Sequence, residues 1–87
     1  MKPWDKKWRL VVFDVVEKNK KAREMIRRIL KQMGFFQFQK SVFINPFRCE
    51  KEIKYLREVL GVPHAIKYLR ADKVENEVEL KKIFNLN

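Results

Sequence analysis

Trp8-Arg9-Leu10-Val11-Val12-Phe13-Asp14-Val15-Val16 is the stretch on which the fold turns. It is short and rich in β-branched and aromatic residues, so it reads as a strand. Its centre is apolar at successive positions rather than at alternate ones, which predicts a strand covered on both faces and therefore central in its sheet. Asp14 interrupts the apolar run near its C-terminal end.

Toward the N-terminus, residues 1–7 form a polar lead-in punctuated by Pro3. Toward the C-terminus, Glu-Lys-Asn-Lys-Lys at 17–21 predicts a loop in which Asn19 caps a helix. Ala22, Met25, Ile26, Ile29, Leu30 and Met33 then recur at helical spacing and make one apolar stripe, and Gly34 stops the helix. Residues 35–45 alternate and then resume a β pattern, which predicts two short strands meeting near Lys40-Ser41. A second helix is expected over Glu50–Leu60, with Ile53, Leu56, Val59 and Leu60 inward and Gly61 and Pro63 ending it. Residues 64–69 read as a further strand. Asn76 with Glu79 resembles a capping box and opens a short terminal helix over residues 77–84.

The order strand, helix, strand, strand, helix, strand is the split βαβ arrangement. The expected fold is thus α+β, a ferredoxin-like βαββαβ domain with a short C-terminal helix, occupying residues 1–87 as one domain. Two helices should cover one face of the sheet and leave the other face free for a partner.

Composition narrows the function. The chain of 87 residues carries 21 Lys and Arg against 11 Asp and Glu, a net charge of +10. The excess is lopsided: residues 1–48 hold 13 cations and 4 acids, whereas residues 49–87 hold 8 and 7. Such asymmetry fits a polyanionic partner, with nucleic acid the first candidate and a generic basic surface the alternative. A content of 46% hydrophobic residues excludes a disordered basic tail. The longest apolar run is Leu10 to Phe13, so no membrane helix is expected. A single cysteine, Cys49, and a single histidine, His64, exclude an internal disulfide and argue against a zinc site, which fits a cytoplasmic protein.

Candidate site residues follow from position. A carboxylate at a strand end, Asp14, is suited to hold Mg²⁺ or Mn²⁺, though such an ion usually takes more than one carboxylate or a substrate phosphate besides. A two-fold dimer would supply a second Asp14. The alternative is a loop cap or an ion pair with a nearby lysine. Glu17 is a further acid in the adjoining loop, and His64 is either a general base or structural. The first helix presents Lys20, Lys21, Arg23, Arg27, Arg28 and Lys31 with Glu24 the sole acid among them, and Arg23, Arg27 and Lys31 at i, i+4, i+8 would follow a phosphate backbone. The phenylalanines of residues 35–47 are either stacking platforms or, more simply, core. No Gly-rich phosphate loop is present.

Val-Val-Phe-Asp at 11–14, the basic helix, and Gln-Lys-Ser-Val-Phe at 39–43 together resemble the CRISPR-associated Cas-two family over about residues 8–70. Trp4-Asp5-x-Lys7-Trp8-Arg9 with Asn45-Pro46-Phe47 is similar, more narrowly, to the Cas-two-like central domain of PaaX-like transcriptional repressors. The resemblance implies a homodimer that binds double-stranded DNA or RNA, a divalent metal on Asp14, and Ser41 and Phe43 beside the active region. It also implies a Mg²⁺-dependent endonuclease or a partner of a Cas-one integrase in CRISPR adaptation. The repressor resemblance implies instead a non-catalytic dimerisation core, and related folds serve as toxin-like endoribonucleases.

Overall fold

The computed structural model describes residues 3–15, 19–61 and 63–86. Strand β1 (Trp8–Phe13) is followed by helix α1 (Lys20–Gln32), strands β2 (Phe36–Gln39) and β3 (Val42–Asn45), helix α2 (Glu50–Leu60), strand β4 (Ile66–Ala71) and helix α3 (Glu77–Ile83). A single 3₁₀ turn, Pro63–Ala65, leads into β4. The sheet order is β2-β3-β1-β4 with every neighbouring pair antiparallel. This is the α+β architecture that the element order predicted, with β1 inside the sheet.

The alternation of side chains along β1 builds two cores. Val11 and Phe13 point to one face, where they pack with Phe43, Ile66, Ile26 and Leu30 of α1, and Ile53 and Leu56 of α2. Trp8 points to the other face, where it packs with Ile44 and with Leu80 of α3. The register confirms the split, since Val11 opposes Phe43 and Leu10 opposes Ile44. Burying Leu80 contributes about 2 kcal/mol toward holding α3 in place. The Trp8 indole N–H also donates to Glu77 Oε1 at 2.8 Å, so Trp8 holds α3 by both its ring and its polar edge.

Four expectations need correction. The face expected to be free is in part occupied by α3, while Phe36, Leu69 and Ile83 stay exposed around it. Val59, expected inward, is 54% exposed, because Ile53 and Leu56, with Leu60 half-buried beside them, fill the space under α2. Asn76 does not form a capping box: its backbone is left-handed, with φ 64°, and its side chain makes no cap bond. Glu77 of that first turn is bonded to Trp8 instead. The predicted strand also ends earlier, at Phe13, and Val16 and Glu17 lie outside the described residues.

The end of the sheet at Trp8 is clamped by a residue that the sequence pattern does not single out. Arg9 is 2% exposed. Its guanidinium holds both carboxylate oxygens of Asp5, at 2.8 and 2.6 Å, and donates to the carbonyls of Lys7 and Pro46. The fork geometry of arginine suits this bidentate contact. The Arg9 guanidinium in turn holds the Asp5 carboxyl well below the usual carboxylate range. Lys6, inside this loop, has φ 67°. Close by, the Tyr68 hydroxyl lies 3.4 Å from Cys49 Sγ, and burial pushes both groups up, so both stay neutral at pH 7. The edge strand β2 pairs with β3 through a register shift between Gln37 and Gln39.

Candidate nucleic-acid interface

Helix α1 forms because its apolar stripe buries Ile26 and Leu30 and because the Asn19 side chain accepts from the Ala22 amide at 3.4 Å. The charges of its first turn run against its own backbone, whereas Lys31 in its last turn is favourably placed. The N-terminal end of a helix carries partial positive charge, which favours acids there. α2 begins with Glu50 and Glu52, and α3 with Glu77 and Glu79. α1 has no acid in its first turn and opens with Lys20 and Lys21. Each misplaced cation costs about 0.3–1 kcal/mol at low salt.

The described residues do little to offset these charges. Lys20 approaches Glu24 at 4.0 Å, both largely exposed. Lys21, Arg28, Lys31 and Lys40 take part in no ion pair among the described residues. Outside this region Lys7 pairs with Asp72, Arg9 with Asp5, and Arg48 with Glu50, while Lys6, Lys51, Lys54, Lys67, Arg70 and Lys73 are exposed with no ion pair among the described residues. What sets α1 apart is that several unpaired cations share one face of one helix.

The expected row Arg23, Arg27, Lys31 does not form one exposed stripe. Lys31 is exposed, but Arg23 and Arg27 are half-buried. Arg23 Nε is buried without a hydrogen-bond partner. Arg27 turns toward the end of β1: its Nε donates to the Lys40 carbonyl at 3.2 Å and its guanidinium carbon lies 5.7 Å from the centre of the Phe13 ring. The exposed row is instead Lys21, Arg28 and Lys31, with Lys20 beside it. Two shallow open depressions adjoin there and share Glu24 and Arg28. One, of about 470 Å³, is lined by Glu24, Arg27, Arg28, Lys31 and Gln32. The other, of about 370 Å³, is lined by Lys21, Glu24, Met25 and Arg28.

Asp14 lies just beyond β1, at the sheet end opposite Arg9. Its amide donates to the Ala65 carbonyl at 2.8 Å, and the Phe13 amide donates to the Ser41 carbonyl at 3.1 Å. The Asp14 carboxylate is exposed and makes no ion pair with a lysine among the described residues; residues 16–18 of the loop that it would cap lie outside them. Strand end, hairpin tip and 3₁₀ turn thus converge, bringing Asp14 and Ser41 together and placing His64 in the adjoining turn. Phe43 is fully buried, so its role is core packing. Phe35 is buried too, and Phe36 is exposed on the opposite face of the sheet. Among the described residues no exposed aromatic ring accompanies the cations of α1.

A divalent metal was expected on Asp14. No group of three His, Cys, Asp or Glu residues able to hold an ion exists among the described residues. One exposed carboxylate is a poor Mg²⁺ site, so the donor set of a single copy does not fit the ion. Among the described residues no helix is long and apolar enough to cross a membrane.

Sequence reasoning missed Lys40 as a candidate. The available signal was its place in the two-residue link between β2 and β3, which turns its side chain out at a hairpin tip. No curated protein sequence matches the chain. The family model described as the PaaX protein central Cas2-like domain matches residues 1–83, and the chain belongs to that family.

Proposed function

We propose that this chain is a homodimeric Cas2-like module that grips the phosphate backbone of double-stranded DNA through α1. One observation carries the reading: α1 alone among the three helices begins with cations, at a cost to its own stability, and of its exposed cations only Lys20 meets an acid, at 4.0 Å, among the described residues. A surface that needed only solubility would place charge where the helix favours it. Phosphate contacts position a duplex without reading its bases, and the lack of aromatic platforms beside α1 favours a duplex over a single strand.

The dimer draws support from the family, whose Cas2-like domains are typically dimeric, and from the apolar strip of Phe36 and Ile83, two exposed side chains that line one depression beside α3. Two copies related by a two-fold axis would present the same strip to each other. Metal-dependent cleavage and an integrase partner rest on the resemblance alone. Cleavage requires Asp14 from both copies in one site; loss of Mg²⁺-dependent nicking in Asp14→Asn supports it, and unchanged nicking rejects it.

The test of the main reading is a fluorescence-anisotropy titration of a labelled 20-base-pair DNA duplex at increasing KCl. Phosphates held by Lys21, Arg28 and Lys31 of α1 predict a log–log slope of about −3 per copy, at about −0.9 per phosphate. A flat response rejects the reading. Light scattering on the same sample measures the mass, and a monomer rejects the dimer.

A further inference from the structure

Arg27 has the profile of a phosphate ligand in the sequence, yet its guanidinium is engaged by the protein. Its Nε is bonded to the backbone of the hairpin tip, at the Lys40 carbonyl, and its plane is near the Phe13 ring, one residue before Asp14. The same carbonyl accepts a second bond, from Gln37 Nε2 at 3.4 Å. The Ser41 carbonyl meanwhile accepts the Phe13 amide. The tip is thus tied to α1 by Arg27 and to β1 by its own backbone. The Lys40 side chain itself is exposed and has no ion pair among the described residues. Arg27 also lines the larger depression on α1, between Arg28 and Lys31 on one side and the hairpin on the other.

We infer that the β2–β3 tip is a second contact on the DNA duplex, made by Lys40, and that Arg27 is a positioning residue that fixes the tip against α1. This rests on the duplex-binding reading and extends it from one helix to a surface of two elements beside Asp14. A lysine could keep the charge of Arg27, but a lysine has no planar fork with which to bond the carbonyl while lying over Phe13.

The test is a double-mutant cycle read by anisotropy on the same 20-base-pair DNA duplex, using the full chain. Lys40→Gln is expected to reduce the salt slope by about 0.9, the equivalent of one phosphate no longer neutralised. Arg27→Gln alone is expected to weaken binding severalfold, and Arg27→Lys by a similar factor although the charge is kept. In the Lys40→Gln background, Arg27→Gln is expected to cost no further affinity, because the ammonium it positions is already gone. Circular dichroism melting establishes that each variant is folded, and hydrogen exchange at the Lys40 and Ser41 amides is expected to quicken in Arg27→Gln. An unchanged slope in Lys40→Gln overturns the tip contact. Full additivity of the two substitutions, or wild-type affinity in Arg27→Lys, overturns the positioning role. If the wild-type chain itself shows no salt-dependent binding, the underlying reading fails and this inference falls with it.

Discussion

α1 and α2 cover the same face of the sheet and supply the same core, yet their charges obey opposite rules. α2 starts with Glu50 and Glu52 and has Arg57 in its last turn, the pattern that a helix dipole favours. α1 starts with Lys20 and Lys21 and has no acid in its first turn. Both helices are held by buried apolar residues, Ile26 and Leu30 in one and Ile53 and Leu56 in the other. Because packing secures both, the outer surface of either is free to serve something other than stability. In the first turn of α2 it stabilises the helix; in the first turn of α1 it does not, although Lys31 in the last turn of α1 is as well placed as Arg57, and the proposed duplex contact would account for the difference.

The contrast can be broken by exchanging the charges. Lys21→Glu with Arg28→Glu should weaken duplex binding about a hundredfold, taking roughly 1.5 kcal/mol for each charge-assisted hydrogen bond to phosphate that is removed, whereas Lys51→Glu with Lys54→Glu on α2 should change it by less than about fivefold. Equal weakening from the two helices, measured by anisotropy at one salt concentration, would show that net charge and not α1 is responsible.

Not every first-half cation belongs to the open set, and Arg9 sharpens the distinction. Arg9→Ala should destabilise the fold by about 3 kcal/mol, since it removes a buried guanidinium and leaves the Pro46 carbonyl without its donor. Urea unfolding measures this. Asp5→Asn should cost about 2 kcal/mol, less than for a fully buried pair because Asp5 is itself half-exposed. The Asp5 carboxyl is held below its ordinary value of 3.8, so its contribution is complete at neutral pH. As pH falls below that ordinary value the unfolded chain takes up a proton first, and the contribution shrinks until Asp5 itself is protonated. Melting scans between pH 7 and pH 2 should show this acid loss in the wild type and a smaller one in Asp5→Asn.

Smaller effects probe the same balance from the stabilising side. Lys6→Gly should raise stability by about 0.5–1 kcal/mol, because a left-handed backbone penalises any side chain there. Lys21→Gln should raise it by about 0.3 kcal/mol while weakening duplex binding. A Lys21→Gln chain that is less stable than the wild type would undo the claim that the first turn of α1 is charged against its own interest.

Most of the architecture was legible because it rests on periodicity. The β1 run, the α1 stripe, the hairpin and α2 each repeat with the spacing of the element they form, and burial follows. What escaped the reading depends on tertiary partners. Nothing local distinguishes Arg9, which is buried against Asp5, from Arg28, which is open to solvent; the difference is made by the Asn45-Pro46 turn coming from 37 positions away. Val59 lies at the margin of its stripe, where one helical step decides between core and solvent. The landing of α3 on the second face was hidden for a similar reason, since a seven-residue amphipathic pattern does not say which surface it will cover. The candidate site was legible in part: the cations of α1 and the placement of Asp14 were found, while the inward turn of Arg27 depends on where the hairpin tip arrives.

The register shift between Gln37 and Gln39 has a bearing on how the protein survives at high concentration. β2 is a sheet edge, and Phe36-Gln37-Phe38-Gln39 offers no charge to repel a neighbouring strand. Such an edge invites fibril growth by strand addition. A local kink spoils the flat ladder that an incoming strand would need, so the bulge takes over the gatekeeping that lysines perform elsewhere. Deleting Phe38 to straighten the strand is expected to raise strand-addition self-assembly, read as a gain in thioflavin T fluorescence over the wild type.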